Sequence, residues 1–241
     1  MLLLELRRFL RSSYFLVGLG IAAIFFFAGF CFQSATQQGS VSMLPWLLDT
    51  YTCFTQFGAL VLSAYAISCI SSDYSGKTTQ FYKELGFSSW SYYLVRVGAL
   101  WFPLMLGSVV LTGLVCLMYG DWSPFVAMVV HYSAVSLFYV SLYGALGLIV
   151  GRFIVAYFTG AFLWVCATYF SSHYEELYFV AYFDQNSPSF TSLAANMASA
   201  SSFGQAELLP ALVCMAVALI AVLACSFISS LFERRWLRNG V

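Results

Sequence analysis

The residues of this chain that could do chemistry are few, and their spacing excludes most catalysts. Ser75, Gly76, Lys77 and Thr78 reproduce the tail of a phosphate-binding loop. That loop also needs a glycine at position 71, where Ser71 stands, and a buried strand before it, where a long apolar stretch stands. The match is fortuitous. Intramembrane proteolysis lacks its groups as well, since there is no HExxH, no GxSxG and no aspartate pair within an apolar stretch. Seven cysteines, at 31, 53, 69, 116, 166, 214 and 225, form no CxxC and no Cys/His spacing suited to zinc. They read as small apolar residues, and the sequence leaves a pairing of Cys31 with Cys53 open. His131 is the sole titratable group inside an apolar stretch away from its basic end, and it suits a hydrogen-bonded packing role or a water-facing one. No catalytic residue, metal site or resident cofactor is expected on this chain.

The elements that carry these residues are membrane helices. Hydrophobic residues make up 61% of the chain and charged residues 8%, whereas a soluble domain carries about 25% charged. Six apolar stretches, at 13–33, 50–71, 92–119, 124–150, 153–171 and 208–231, are near or above the roughly 20 residues that cross a bilayer core. All ten basic residues fall on or beside alternate connections: before the first span, between the second and third (with Arg96 just inside the third), between the fourth and fifth, and after the sixth. Basic flanks stay cytoplasmic, so the expected fold is all-α and polytopic, one domain over 1–241 with both termini inside. Asp49, Asp121, Glu175, Glu176, Asp184 and Glu207 fall on the other side.

At the N-terminus, Leu2, Leu3, Leu6, Phe9 and Leu10 share a helical face opposite Arg7, Arg8 and Arg11. This predicts an interfacial amphipathic helix over 2–12, apolar side among acyl chains and arginines among phosphates. The alternative is a basic flank that sets orientation only. Trp46, Tyr51, Tyr119, Trp122 and Tyr174 gather at outer ends, while Tyr74, Trp90, Tyr92, Tyr93 and Trp236 gather at inner ones. The remaining aromatics fit either lipid-facing packing or a route for an amphipathic substrate. Ser141, Gly144, Gly147 and Gly151 let another helix approach the fourth span, from this chain or a second one.

The largest inner connection, 72–91, predicts a short surface helix. Ser75 or Thr78 caps it, Phe81, Tyr82 and Leu85 give it an apolar side, and Gly86 stops it. A plain solvated turn would use fewer aromatics.

With these features the chain resembles the membrane subunits of type-2 ABC exporters over nearly its whole length. The likeness rests on the 2–12 helix, the six spans, the Asp73, Gly76, Lys77, Thr78 segment, the Leu85–Ser88 stretch, and the long connection 172–207. Asp73 stands where that family more often has Glu. The resemblance implies a permease in a bacterial cytoplasmic membrane. It would pair with a second permease, identical or related, and with separate cytoplasmic ATPase subunits that bind the ATP and Mg. Asp73, Gly76, Lys77, Thr78, Phe81, Tyr82, Lys83, Glu84 and Leu85 would form the ATPase-coupling segment. The substrate would be amphipathic: an antimicrobial peptide, a drug or a lipid-like molecule. Six outer acids without a base favour a cationic one, although exclusion of Lys and Arg by the insertion rule produces the same pattern. No nucleic-acid partner is implied. Two other classes fit the composition: a non-transport immunity or assembly protein, and an ion-coupled carrier, which the scarcity of intramembrane acids disfavours.

Overall fold

The structure, a computed structural model, describes residues 11–36, 41–76, 78–84, 86–174, 181–185, 187–198 and 207–231. These residues form helices and no strand: α1 (Ser13–Thr36), α2 (Met43–Gln56), α3 (Gly58–Ser75), α4 (Thr78–Glu84), α5 (Ser89–Tyr119), α6 (Phe125–Val150), α7 (Phe153–His173), α8 (Pro188–Ala198) and α9 (Leu208–Leu231). Helices α1, α5, α6, α7 and α9 are each long and apolar enough to cross a membrane, and α2 with α3 qualifies only as a pair bent by 53°.

That bent pair departs from the expected second span at 50–71. Residues 43–49, read from sequence as connection, are already helical, because Met43, Leu47, Thr50, Tyr51 and Phe54 form a buried stripe at helical spacing. The break falls at Phe57, followed by Gly58, a poor helix former. Helix α1 lies against α2, with Gly29 at the closest approach. A Cβ at Gly29 would stand 2.7 Å from the Thr50 amide nitrogen and 2.8 Å from its Cα.

Helix α6 runs through the centre, flanked by α3, α5, α7 and α9. Its small residues serve a helix of the same chain, since Gly147 faces the Cα of Ile67 and Gly144 faces the side chain of Ile70, both on α3. Gly151 ends α6 at φ +68°, where a side chain would be strained, and its amide donates to the Gly147 carbonyl at 2.9 Å.

Several tyrosines and tryptophans tie helices together, while many phenylalanines, among them Phe27, Phe158 and Phe162, are exposed. Tyr93 Oη donates to the Ser141 carbonyl at 2.9 Å, Tyr132 Oη to Leu47 at 2.8 Å and Tyr139 Oη to Thr55 at 2.9 Å. Trp101 Nε1 donates to Ser133 at 2.9 Å, and Trp46 Nε1 to Phe26 at 3.0 Å. Each puts an aromatic body in the core and gives its polar tip a carbonyl, as an apolar surrounding requires. The interfacial helix expected over 2–12, with Arg7 and Arg8, lies outside the described residues. Arg11 is exposed just before α1. Cys31 and Cys53 are both free, the first exposed and the second buried.

The Gly29 contact gives the first prediction. Gly29→Ala pushes a methyl into backbone and should cost about 1–3 kcal/mol, lowering the thermal midpoint in detergent. Gly98→Ala, whose Cβ meets nothing within 4 Å, should leave the midpoint unchanged or raise it. Equal effects of the two would contradict the packing.

Candidate functional site

The connection between α3 and α5 is built around a buried ion pair. Arg96 Nη2 donates to Asp73 Oδ1 at 2.6 Å, and Arg96 Nε lies 2.6 Å from Asp73 Oδ2. Tyr92 Oη donates to the same Oδ2 at 2.6 Å. The guanidinium also stands over two rings, 5.6 Å from the Tyr82 centroid and 5.8 Å from that of Tyr92. Asp73 ends the membrane-length part of α3, Tyr92 and Arg96 occupy the first two turns of α5, and Tyr82 comes from α4. One carboxylate and one guanidinium therefore clamp three helices.

Local sequence makes α4 fit this clamp. Helix α4 ends at Gly86, φ +79°, a left-handed position that suits glycine. The Gly86 amide donates to Lys83 at 2.9 Å and the Phe87 amide to Tyr82 at 3.0 Å, the paired bonds of a Schellman cap. The accompanying apolar contact joins Tyr82 to Phe87, with ring centroids 5.5 Å apart. Ser88 then accepts from the Ser91 amide at 3.3 Å and starts α5.

The coupling residues expected from sequence separate into two sets. Asp73 and Tyr82, the latter 2% exposed, face inward and brace the turn. Phe81, 52% exposed, faces outward with Glu84 and Gly76, while Thr78 and Lys83 are half-buried. Thr78 is the first residue of α4. The apolar side read as Phe81, Tyr82 and Leu85 is thus divided, because Tyr82 has apolar and cationic partners within its own chain. Lys77 and Leu85 lie outside the described residues. Arg96 and Tyr92 lie outside the segment that sequence marks as coupling. A lone arginine inside an apolar stretch needs a partner, and that is the signal in the sequence that points to them.

Two further polar clusters lie away from this end. His131 is not solitary: its Nε2 lies 3.0 Å from Glu207 Oε1, while Asn196 Nδ2 donates to Glu207 Oε2 at 2.7 Å. This joins α6, α8 and the start of α9. Tyr51 covers the cluster, edge-on to His131 and stacked on Phe190 of α8. At the α2–α3 break, Gln56 Nε2 donates to Asp184 Oδ1 at 2.8 Å. The chain at 181–184 has returned far along α6, for Phe183 meets Phe138 at 4.9 Å. Phe138 is about 20 Å along that helix, near its middle. Asp184 and Glu207, counted from sequence among outer surface acids, are therefore buried and hydrogen-bonded. A cavity of about 540 Å³ beside the break is lined by Asp49, Thr52, Gln56, Phe57, Trp164 and Gln185, among others. Among the described residues no group of His, Cys, Asp and Glu is arranged to hold a metal ion.

Comparison with known proteins fits this architecture. The model of the peptide export permease protein YydJ family matches residues 2–241. A curated protein of Bacillus subtilis (strain 168), the probable peptide export permease protein YydJ, is 23% identical over 164 residues, covering 67% of this chain and 68% of that protein. No solved structure matches the chain.

The clamp predicts a specific pattern of stability. Asp73→Ala leaves Arg96 buried without its counter-charge and should cost about 3–5 kcal/mol. Asp73→Leu combined with Arg96→Met removes both charges and should recover more than half of that loss, read as thermal unfolding in detergent. A double variant as unstable as Asp73→Ala would show that the charges are not the source of the effect.

Proposed function

The chain belongs to the peptide export permease YydJ family and is a multi-pass membrane transport subunit, and from that premise we propose that it exports an amphipathic peptide using ATP hydrolysed by a separate subunit. The observation that carries the proposal is the split character of α4. Its inner side is locked to α3 and α5 through Tyr82, Arg96 and Asp73, and its outer side presents Phe81. A cytoplasmic ATPase that buries Phe81 in a surface groove would push a rigid unit, and the clamp would pass that push to two membrane helices at once. A loose loop would dissipate it.

In this reading α2 and α3 count as one span, giving six, with both termini and α4 in the cytoplasm of a bacterium. The sorting of every Lys and Arg to that side supports it. ATP and Mg bind the partner, and a second permease, identical or related, completes the translocation path. The cavity at the α2–α3 break supports an amphipathic, cationic substrate, since it sets Asp49 beside Phe57 and Trp164 at a break in a membrane span. Its one acid, Asp49, offers a negative charge that the buried carboxylates of Asp184 and Glu207 do not.

One observation favours a second reading. The buried pair of His131 in α6 with Glu207, just before α9, is the type of acid and imidazole that a proton-coupled carrier uses. In the ATP-driven reading the pair instead holds α8 against α6.

Two measurements test the proposal. In a thiol-free background, Gln38→Cys, Asp121→Cys and Ser192→Cys should react with an impermeant reagent from outside, and Gln80→Cys and Arg238→Cys only after permeabilisation. Labelling of Gln80→Cys from outside would overturn the topology and the ATPase docking together. Phe81→Ala with Leu85→Ala should weaken ATPase association by about tenfold or more while the permease stays inserted, as the loss of roughly 1.5–3 kcal/mol per buried side chain implies. Unchanged ATPase binding with unchanged export would reject α4 as the docking element.

A further inference from the structure

Helix α7 is the least supported of the long helices, since Ala156 and Gly160 are its only buried residues. It touches α6 closely where Gly160 meets the Tyr143 ring; a Cβ there would lie 2.8 Å from the ring. Beside that contact, between α6, α7 and α9, lies an apolar slot of about 370 Å³. Along α6 the slot is lined from Phe138 to Ile149, a length of about 16 Å. That is close to half of the roughly 30 Å hydrocarbon thickness of a bilayer, the depth of one leaflet. It occupies the half of α6 nearer α4. Phe183 and Asp184 close its far end near the middle of the molecule.

The slot opens sideways. Leu142, Leu163 and Ile228 line it and are also exposed, so its mouth faces the surroundings of the helix bundle, which in a membrane are acyl chains. An empty slot of this size would forfeit dispersion contacts along its whole length. Lipid tails are as apolar as its walls, so shape and length decide what enters. At the open end of the leaflet, three residues beyond Ile149, stands Arg152. Its side chain is exposed and makes no ion pair among the described residues.

We propose that this slot binds one acyl chain of an anionic phospholipid, from the leaflet on the α4 side, with the phosphate at Arg152. The chain completes the packing of α7 that protein side chains leave unfinished. Trp164 separates the slot from the polar cavity at the α2–α3 break, so a lipid there supports α7 beside that cavity without entering it. The site needs only a membrane around the chain; the transport reading decides merely that the leaflet is the cytoplasmic one.

The test is photo-crosslinking in vesicles of phosphatidylethanolamine with a minority of phosphatidylglycerol. A trace of either lipid carries a diazirine in mid-chain, and mass spectrometry maps the adducts. With labelled phosphatidylglycerol, adducts should concentrate on 138–149 and 160–167, several-fold denser than on the exposed α1 face around Phe27. Ala167→Phe, at a half-exposed wall position, should reduce the slot adducts several-fold and leave those on α1 unchanged. Ala145→Phe, deeper in the wall, should do the same, and Ala167→Phe alone decides if that variant does not fold. Arg152→Gln should remove the preference for phosphatidylglycerol over phosphatidylethanolamine. Adducts spread evenly over all exposed helices, or slot adducts indifferent to Ala167→Phe, would overturn the site. Equal labelling by both lipids in the unmutated chain would overturn the anionic headgroup.

Discussion

The Asp73–Arg96 pair is the constraint on which the α4 end of the molecule depends. A guanidinium in the second turn of a long apolar helix is costly unless its charge is met, and Asp73 meets it across helices with bonds of 2.6 Å. Satisfying the carboxylate then recruits Tyr92, and covering the guanidinium recruits Tyr82. Once Tyr82 is turned inward, Phe81 beside it on α4 must turn outward. A requirement for charge burial thus determines which aromatic of α4 is left exposed.

The same requirement recurs through the bundle in weaker form. Tyrosine and tryptophan tips find carbonyls of neighbouring helices, and His131 and Asn196 meet Glu207. Where a helix is interrupted, at Phe57, the side chain just before the break reaches Asp184. Polar groups therefore mark the places where helices are tied or broken, and apolar shape fills the rest. Helix α7 has little of either, which is why the inferred acyl chain falls beside it.

Sequence makes five spans legible because bilayer thickness imposes a length and an apolar composition that the eye can find. The second was legible in existence but not in form, since a bend at Phe57 leaves hydropathy almost unchanged. Small residues at 144 and 147 announced a close helix, yet only the fold identifies it as α3. The α4 helix and its glycine stop were visible in local spacing. The division between Phe81 and Tyr82 was not, because it is set by Arg96, a residue more than ten positions away. Glu207 and His131 are separated by 76 positions, and no periodicity links them. Reading Asp184 and Glu207 as surface acids followed from counting charges by connection, which ignores a segment that folds back along α6.

In the proposed function, nucleotide hydrolysis on a partner, and not a proton gradient acting on His131 and Glu207, drives this permease. Inside-out vesicles containing the chain and any ATPase that co-purifies with it allow a direct measurement with a fluorescent cationic amphipathic peptide. ATP should drive peptide uptake, and a protonophore should leave the initial rate unchanged. Uptake that ignores ATP and collapses with the protonophore would contradict it.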